Sequence, residues 1–326
     1  LQTWIDWEYG EEGFLAAIPF FHVYGMVTAM IFSISVAGRM IIIPNPRDQK
    51  DLLGAINKYK PGIFPGVPAM YNAINNNPDV AAGKYDIHSI NACISGSAPL
   101  LLETKRRFEE LTGGKLVEGF GMTETFVATH ANPINGVNKE GSIGVPLPNV
   151  ECRIVDVDTG ENDMPVGEEG EIIIKSPSVM QGYWQMPTES SNTLRDGWLY
   201  SGDIAKMDED GFFYITDRKK DMIIAGGYNI YPREVEEVLI QHPAVQEVTV
   251  AGVPHGYRGE TVKAWIVKHP GDNTTEEEII EWSKGQLAKY KYPRLIEFMD
   301  ELPKTTVGKV LKRKLVKAHK EKQKAE

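Results

Sequence analysis

Between residues 40 and 114 short apolar runs and helix-spaced segments follow one another in turn, and this alternation limits the possible folds more than any other feature. "MIIIP" (40–44) is an apolar run of the buried-strand kind. "QKDLLGAINKYKP" (49–61) places its apolar residues at helical spacing and stops at Pro61. "GIFPGVPAMYNAI" (62–74) reads as a strand, a Pro/Gly loop and a second helix start. "INACISGSAPL" (90–100) is a strand entering a small-residue loop, and "LLETKRRFEELTGG" (101–114) is a helix closed by a glycine pair. Strands that alternate with helices predict a parallel sheet covered on both faces.

Beyond about residue 140 the texture changes. "ECRIVDVDTG", "GEIIIKSP" and "GWLYSGDIAKMDEDGFFYITDR" are short β runs separated by Gly and Asp turns, which predict an antiparallel or barrel-like unit. After about residue 220 helix and strand return. "YPREVEEVLIQHPAV" is helical, "QEVTVAGVP" and "TVKAWIVKHPG" are strands, and "TTEEEIIEWSKGQLAKY" is a Thr-capped helix with acidic residues in its first turn. The expected fold class is therefore α/β. Residues 1–219 form part of a large domain, with a parallel sheet to about 140 and a β-rich, barrel-like part after it. Residues 220–326 form a small α+β C-terminal domain.

Net charge is −10, which excludes a general nucleic-acid binder, since such a protein needs a basic face. The charge is uneven: residues 309–326 carry eight Lys or Arg against two Glu, so an anionic ligand would be met locally by this tail. Two cysteines, Cys93 and Cys152, supply neither a disulfide framework nor a zinc spacing, which fits a reducing cytoplasm. The chain starts at Leu1 and shows no signal peptide. Leu15 to Gly38 holds no formally charged residue and is long enough to span a bilayer. Pro19, His22 and Gly25 interrupt it, so a loop, a buried helix and a following strand are expected.

Five stretches carry chemistry. "SGSAPL" (95–100) follows an apolar strand, and its small residues would let a flat ligand lie against backbone at a strand's carboxyl end; a plain strand–helix turn reads the same. "EGFGMTETF" (118–126) sets Thr123 and Glu124 after two glycines. A Thr hydroxyl can donate to phosphate and a carboxylate can hold Mg²⁺ against it, although a strand end with a helix cap also fits. "DGWLYSGD" (196–203) ends in Asp203, placed to accept two ribose hydroxyls or merely to form a turn. "DRKKDMIIAGGYNIYPREVEEVL" (217–239) combines Arg218 and Lys220 with Gly226 and Gly227, which make either a close-packed channel or a tight turn. "ELPKTTVGK" (301–309) presents Lys309 just before a helical segment, as a solvated lysine or as a cation aimed at an anionic substrate.

In this order and spacing the stretches resemble the adenylate-forming superfamily, specifically the AMP-forming acyl-CoA synthetases. "PFFHVYGM", "CISGSAPL", "GGKLVEGFGMTET", "YPREVEEVL" and "ELPKTTVGK" look most like bacterial and archaeal long-chain fatty acid–CoA ligases, over essentially the whole chain. That resemblance implies ATP-dependent formation of an acyl-adenylate with release of pyrophosphate, then displacement of AMP by coenzyme A. It assigns Gly96, Ser97 and Ala98 to the adenine pocket. Glu118, Gly119, Phe120, Gly121 and Met122 form the other wall of that pocket and part of the acyl pocket. Thr123 contacts the α-phosphate, Glu124 holds Mg²⁺, Asp203 and Arg218 hold the ribose, and Ile215 packs near the nucleoside. His22 lies beside the acyl and thiol path, Lys220 at the hinge of a mobile C-terminal lid, and Gly226, Gly227 and Tyr228 along the pantetheine tunnel. Lys309 is the adenylation lysine. The expected partners are a fatty acid, ATP and coenzyme A, with no nucleic acid, in the cytoplasm. The basic tail would meet coenzyme A phosphates, an anionic membrane surface at the periphery, or only solvent. A homodimer is compatible with the resemblance and shown by no residue.

The pattern breaks once. The family's Ser/Thr/Gly-rich phosphate loop ending in Pro-Lys-Gly is absent, as is a GxxxxGK[ST] loop. The chain is therefore expected to be a fragment lacking part of the large domain, and inactive or impaired alone. Two alternatives stay open: a relative acting on aryl or medium-chain acids, and an adenylate-binding module without turnover.

Overall fold

A computed structural model describes residues 8–305 and 308–325; Leu1 and, within the "PKTTVGK" stretch, Thr306 and Val307 lie outside the described residues. The chain divides into two compact units, one of Leu1–Ser201 with Ala205–Ile215, the other of Gly202–Ile204 with Thr216–Glu326. Arg218 and Lys219, expected at the end of the first domain, thus belong to the second unit.

The first unit holds a seven-stranded sheet of β1 (Gly13–Ala16), β2 (Arg39–Ile42), β3 (Ile63–Gly66), β4 (Ala92–Ser95), β5 (Lys115–Phe120), β6 (His130–Ala131) and β7 (Val145–Pro146), in the order β2-β1-β3-β4-β5-β6-β7. The five strands β2, β1, β3, β4 and β5 run parallel, and β6 and β7 are antiparallel. Neighbouring residues of each strand turn to opposite faces. Leu15, Phe64, Cys93 and Leu116 pack with Leu52, Leu53 and Ile56 of the helix Gln49–Tyr59, and with Tyr71 and Phe108. Phe14, Ile63, Ala92 and Val117 pack on the other side with Phe32, Val36 and Ile134. Both faces are covered, as a parallel sheet requires.

One expectation is corrected here. The start of the uncharged stretch, expected as a loop, forms β1, paired from Gly13↔Arg39 to Ala16↔Ile42 and against Ile63 of β3. "GFLA" has no β-branched residue and no alternation, so pairing with its neighbours, not propensity, makes it a strand. The buried helix follows as Val23–Gly25, a π-helical turn Met26–Ile31 and Phe32–Ser35. Among the described residues no helix is long and apolar enough to cross a membrane.

The β-rich part is a five-stranded sheet of β8 (Glu151–Val155), β9 (Gly170–Lys175), β10 (Leu194–Arg195), β11 (Trp198–Met207) and β12 (Phe213–Arg218). The β8–β9 and β10–β11 pairs are antiparallel, and Ile154, Ile172, Ile174, Ala205 and Phe213 form a core with Ile143.

The second unit is built on β13 (Ile223–Ala225), β14 (Tyr228–Ile230), β15 (Val245–His255), β16 (Gly259–Lys268) and β17 (Leu295–Phe298), with the helices Pro232–Leu239, Glu276–Lys284 and Lys312–Ala325. Trp265, 2% exposed, anchors its core with Val253, Leu302 and Leu315. The Thr275 hydroxyl accepts from the Glu278 amide at 3.2 Å while the Glu278 carboxylate accepts from the Thr275 amide at 2.8 Å, a complete capping box.

Candidate active site

Parallel strands end together at one edge of their sheet, the usual place for a ligand in an open α/β fold. In the first unit, the segments following β1 and β4 carry His22 and Gly96–Ala98, and the end of β5 with the turn after it carries Glu118–Glu124. The sheet geometry, not their separation in sequence, puts them on one edge.

Each segment has its own fastening. His22 caps its helix, its Nδ1 accepting the Tyr24 amide at 3.2 Å. The Tyr24 hydroxyl donates to the carbonyl oxygens of Gly66 and Ile94, tying β3 to β4 at their carboxyl ends. Burial pushes that hydroxyl's pKa far up, so it serves only as a neutral donor. A Cβ at Gly96 would lie 3.2 Å from the Tyr24 ring. Ser97 follows with φ +68°, a left-handed backbone that a small polar residue tolerates better than a bulky one. The Leu100 amide, at 3.4 Å, reaches Glu118 Oε2, so the buried carboxylate expected as a pocket wall also holds the small-residue loop. Gly119 packs against Ile94, Phe120 lies beside His130, and Ile215 sits at the rim of the Ile143–Phe213 core.

Thr123 and Glu124 stand on a very tight turn. The Met122 amide donates to Thr125 Oγ1 at 3.1 Å, and the Thr125 hydroxyl returns to the Met122 carbonyl at 3.1 Å. A Cβ on Gly121 would fall 1.8 Å from the Val127 carbonyl oxygen, so only glycine fits there. Thr123 is exposed, whereas Glu124 is half-buried and held twice. Its Oε1 accepts the Tyr183 hydroxyl at 2.8 Å and its carbonyl accepts the Met180 amide at 2.7 Å. Burial, then the bond to Glu124, raises the Tyr183 pKa and keeps it a donor. Sequence reasoning missed Tyr183, for nothing in "QGYWQMP" points 59 residues back to a carboxylate. A lone, oriented carboxylate beside an exposed Thr suits Mg²⁺, which takes one or two protein carboxylates and completes its shell with phosphates and water. Among the described residues no three His, Cys, Asp or Glu side chains gather as a self-sufficient metal cage.

The second unit brings together Asp203, Arg218, Lys220 and Lys309, which are spread over 107 positions. Asp203 is 4% exposed, with its Oδ1 3.2 Å from Arg218 Nε. Burial pushes its pKa up to about 6 against the pull of Arg218, Lys309 and Lys220. Lys309 is pushed down, by burial first and then by Arg218 and Lys220, with Asp221 and Asp203 opposing. Three cations thus converge on one buried carboxylate. Lys309 stands, as expected, just before a helix, which begins at Lys312. The Lys309 amide donates to Thr305 Oγ1 at 3.1 Å and its carbonyl accepts the Thr305 amide at 2.8 Å.

Asp203 yields a test of stability. Its folded pKa of about 6 lies above the carboxylate's ordinary 3.8, so the native state holds more protons between these values and stability falls as pH rises through them. Asp203→Asn should match the parent below pH ~4 and exceed it above pH ~6 by at most ~3 kcal/mol. Urea melts at pH 4 and 8 check this. A variant less stable than the parent at pH 8 would mean that the Arg218 pair outweighs burial.

Gly226 and Gly227 form a tight turn joining β13 to β14, with φ of +61° and +84° and open space at both Cβ positions. Tyr228 stacks on Tyr290 with ring centroids 4.5 Å apart. Elsewhere in the first unit a cleft of about 630 Å³ is lined by Val27, Phe32, Leu147, Val150 and Ser176, among others; none of the expected site residues lines it.

The family model "AMP-binding enzyme" matches residues 1–184 and "AMP-binding enzyme C-terminal domain" matches residues 234–309. A long-chain-fatty-acid–CoA ligase of Bacillus subtilis is 52% identical over 95% of this chain and 55% of its own length. A feruloyl-CoA synthase of an Amycolatopsis species is 37% identical over 93% of the chain and 60% of its own. The crystal structure of the anthranilate CoA ligase AuaEII in complex with anthranoyl-AMP superposes with a TM-score of 0.88 at 33% identity, covering 95% of this chain and 60% of that one. The chain spans about half the length of the curated relatives it matches. With both family models matched in order and the site motifs at the sheet edge, the chain belongs to the AMP-binding, adenylate-forming enzyme family.

Proposed function

We propose that this protein activates a long-chain fatty acid for transfer to coenzyme A. A carboxylate oxygen of the acid attacks the α-phosphorus of ATP, the bond to the bridging oxygen breaks, and pyrophosphate leaves. The coenzyme A sulfur, losing its proton, then attacks the acyl carbon, and AMP departs with the C–O bond electrons. The observation that carries this reading is the gathering of Lys309, Arg218 and Lys220 on buried Asp203. Phosphoryl transfer demands fixed positive charge where oxygens gain negative charge, and little else from the protein.

In this reading Asp203 and Arg218 hold the ribose hydroxyls. Thr123 donates to the α-phosphate, Gly96–Ala98 and Glu118–Met122 bound the adenine, and Ile215 packs near the nucleoside. His22 and Gly121 border the acyl path. Glu124, oriented by Tyr183, would hold Mg²⁺, which when bound supplies charge to the departing pyrophosphate. The second unit is the mobile lid, with Lys220 at its hinge and Gly226, Gly227 and Tyr228 along the pantetheine path. A reducing cytoplasm accords with the free thiols of Cys93 and Cys152. The long-chain preference rests on the 52%-identical ligase, and the feruloyl-CoA synthase supports an aromatic acid as second reading.

Acid-dependent ATP–pyrophosphate exchange separates these readings. It is measured on this chain and on a fusion placing the upstream part of the Bacillus subtilis ligase ahead of it. Exchange highest with palmitate supports the proposal. A maximum with benzoate or ferulate favours the aryl reading, and one with octanoate a medium-chain enzyme. No exchange with any acid in either protein leaves an adenylate-binding module.

A further inference from the structure

The segment carrying Lys309 is fastened to the second unit on both sides. Upstream, Lys304 Nζ lies 2.5 Å from Glu247 Oε2 on β15, and Lys304 bridges to Val310. Downstream, the Leu311 amide donates to the Pro303 carbonyl at 2.8 Å, and Lys312 Nζ lies 2.9 Å from Glu236 Oε1. The Lys312 and Glu236 side chains are only 26% and 11% exposed. Glu236 belongs to the helix Pro232–Leu239, and the same Oε1 accepts the Val250 amide of β15 at 2.7 Å and the Thr249 hydroxyl at 3.2 Å. Asp217, the neighbour of Arg218, also acts on Lys312, and its Oδ2 accepts the Arg233 amide at 3.1 Å.

One ammonium therefore serves three segments: the end of β12 that carries Arg218, the helix that carries Glu236, and the chain three residues after Lys309. We propose that Lys312 is a positioning residue that sets Lys309 in register with Arg218 over Asp203. The geometric claim is independent of the proposed reaction, while its consequence for turnover rests on Lys309 being the adenylation lysine.

The physics is that of a buried pair with a second carboxylate in reach. Burial works against the Lys312 ammonium, yet Glu236 and Asp217 more than offset it and hold its pKa above that of an ordinary lysine. Asp217 is pushed the other way from an exposed carboxylate: burial raises it, with Lys312 and two backbone amides opposing. Removing Lys312 leaves two neighbouring carboxylates without their shared cation, and such a gap is relieved by movement of the segments that carry them. A purely structural pair would lower stability and do nothing else. A positioning pair must also change the surroundings of the Lys309 amine.

The test is competitive acetylation of this chain with acetic anhydride across pH, with Lys309 quantified by peptide mass spectrometry. In the parent, Lys309 should label slowly and titrate below the exposed lysines. In Lys312→Met the plateau rate should rise by roughly 2- to 30-fold and the midpoint should move up toward the exposed lysines. Lys312→Arg, which keeps the charge, should stay close to the parent. Should Lys312→Met fail to fold, Glu236→Gln carries the same test, because glutamine keeps an acceptor for the Val250 amide while losing the charge. In the fusion, the positioning variants should lose exchange by a similar factor with little change in the KM for ATP, and keep thioester formation from preformed adenylate. A parent-like Lys309 profile in a folded Lys312→Met or Glu236→Gln chain overturns the proposal. The labelling needs no turnover, so it decides positioning even if the parent shows no exchange.

Discussion

Lys309→Ala in the exchange-competent fusion should lower ATP–pyrophosphate exchange by on the order of 10²–10³-fold, the effect of removing one donor aimed at a transition-state oxyanion. Thioester formation from a preformed acyl-adenylate should survive, because that step breaks a carbon–oxygen bond in which the lysine has no part. The sharpness of this split comes from where the amine sits. It is partly buried, and burial first, then Arg218 and Lys220, lower its pKa, while Asp221 and Asp203 oppose them. A cation so placed is preorganised and needs no rearrangement when charge develops. Rapid-quench measurement of both half-reactions checks this, and equal loss of both would remove Lys309 from its role.

Gly121→Ala should be nearly as damaging by a different route. The added methyl would lie 1.8 Å from the Val127 carbonyl oxygen and 2.8 Å from Ala128 Cα, all backbone, so the turn from Met122 to Ala128 has to move. Overpacking of this kind costs about 1–3 kcal/mol or more. Displacing Thr123 by about 1 Å would cost about 10²-fold in adenylation. Gly226→Ala is the control. Its φ of +61° disfavours alanine by roughly 1–2 kcal/mol, but the site is open, so exchange should remain near the parent level. If Gly121→Ala proves as mild as Gly226→Ala, the close approach does not govern the Thr123–Glu124 turn.

The difference between those two glycines shows what the sequence could and could not convey. Both stood in Gly-rich stretches, and only the folded backbone distinguishes a crowded glycine from a merely left-handed one. Regular elements were legible because burial imprints a period: "MIIIP", "GIFPG" and "INACIS" are strands, and "TTEEE" opens a helix with the capping box its spacing offers. β1 was not legible, since four residues without β-branching become a strand only through β2 and β3. The motif residues could be picked out one by one, and only the family resemblance, not their spacing, implied that they converge. Asp203 and Lys309 share surroundings through folding of the second unit, and the Tyr183–Glu124 bond crosses 59 residues that carry no sign of it. Sequence texture changes at the glycines after Lys220, whereas the second unit already includes the end of β12 and a three-residue piece of β11.

The most direct test of the central claim, that this chain carries an adenylate site, is calorimetric titration with a non-hydrolysable sulfamoyl mimic of palmitoyl-adenylate. Saturable binding that weakens by about 10- to 100-fold in Asp203→Asn, as loss of charge-assisted hydrogen bonds to the ribose requires, is the expected result. Thr123→Val should weaken it as well. No binding to the chain or to the fusion, or binding indifferent to Asp203→Asn, would contradict the account.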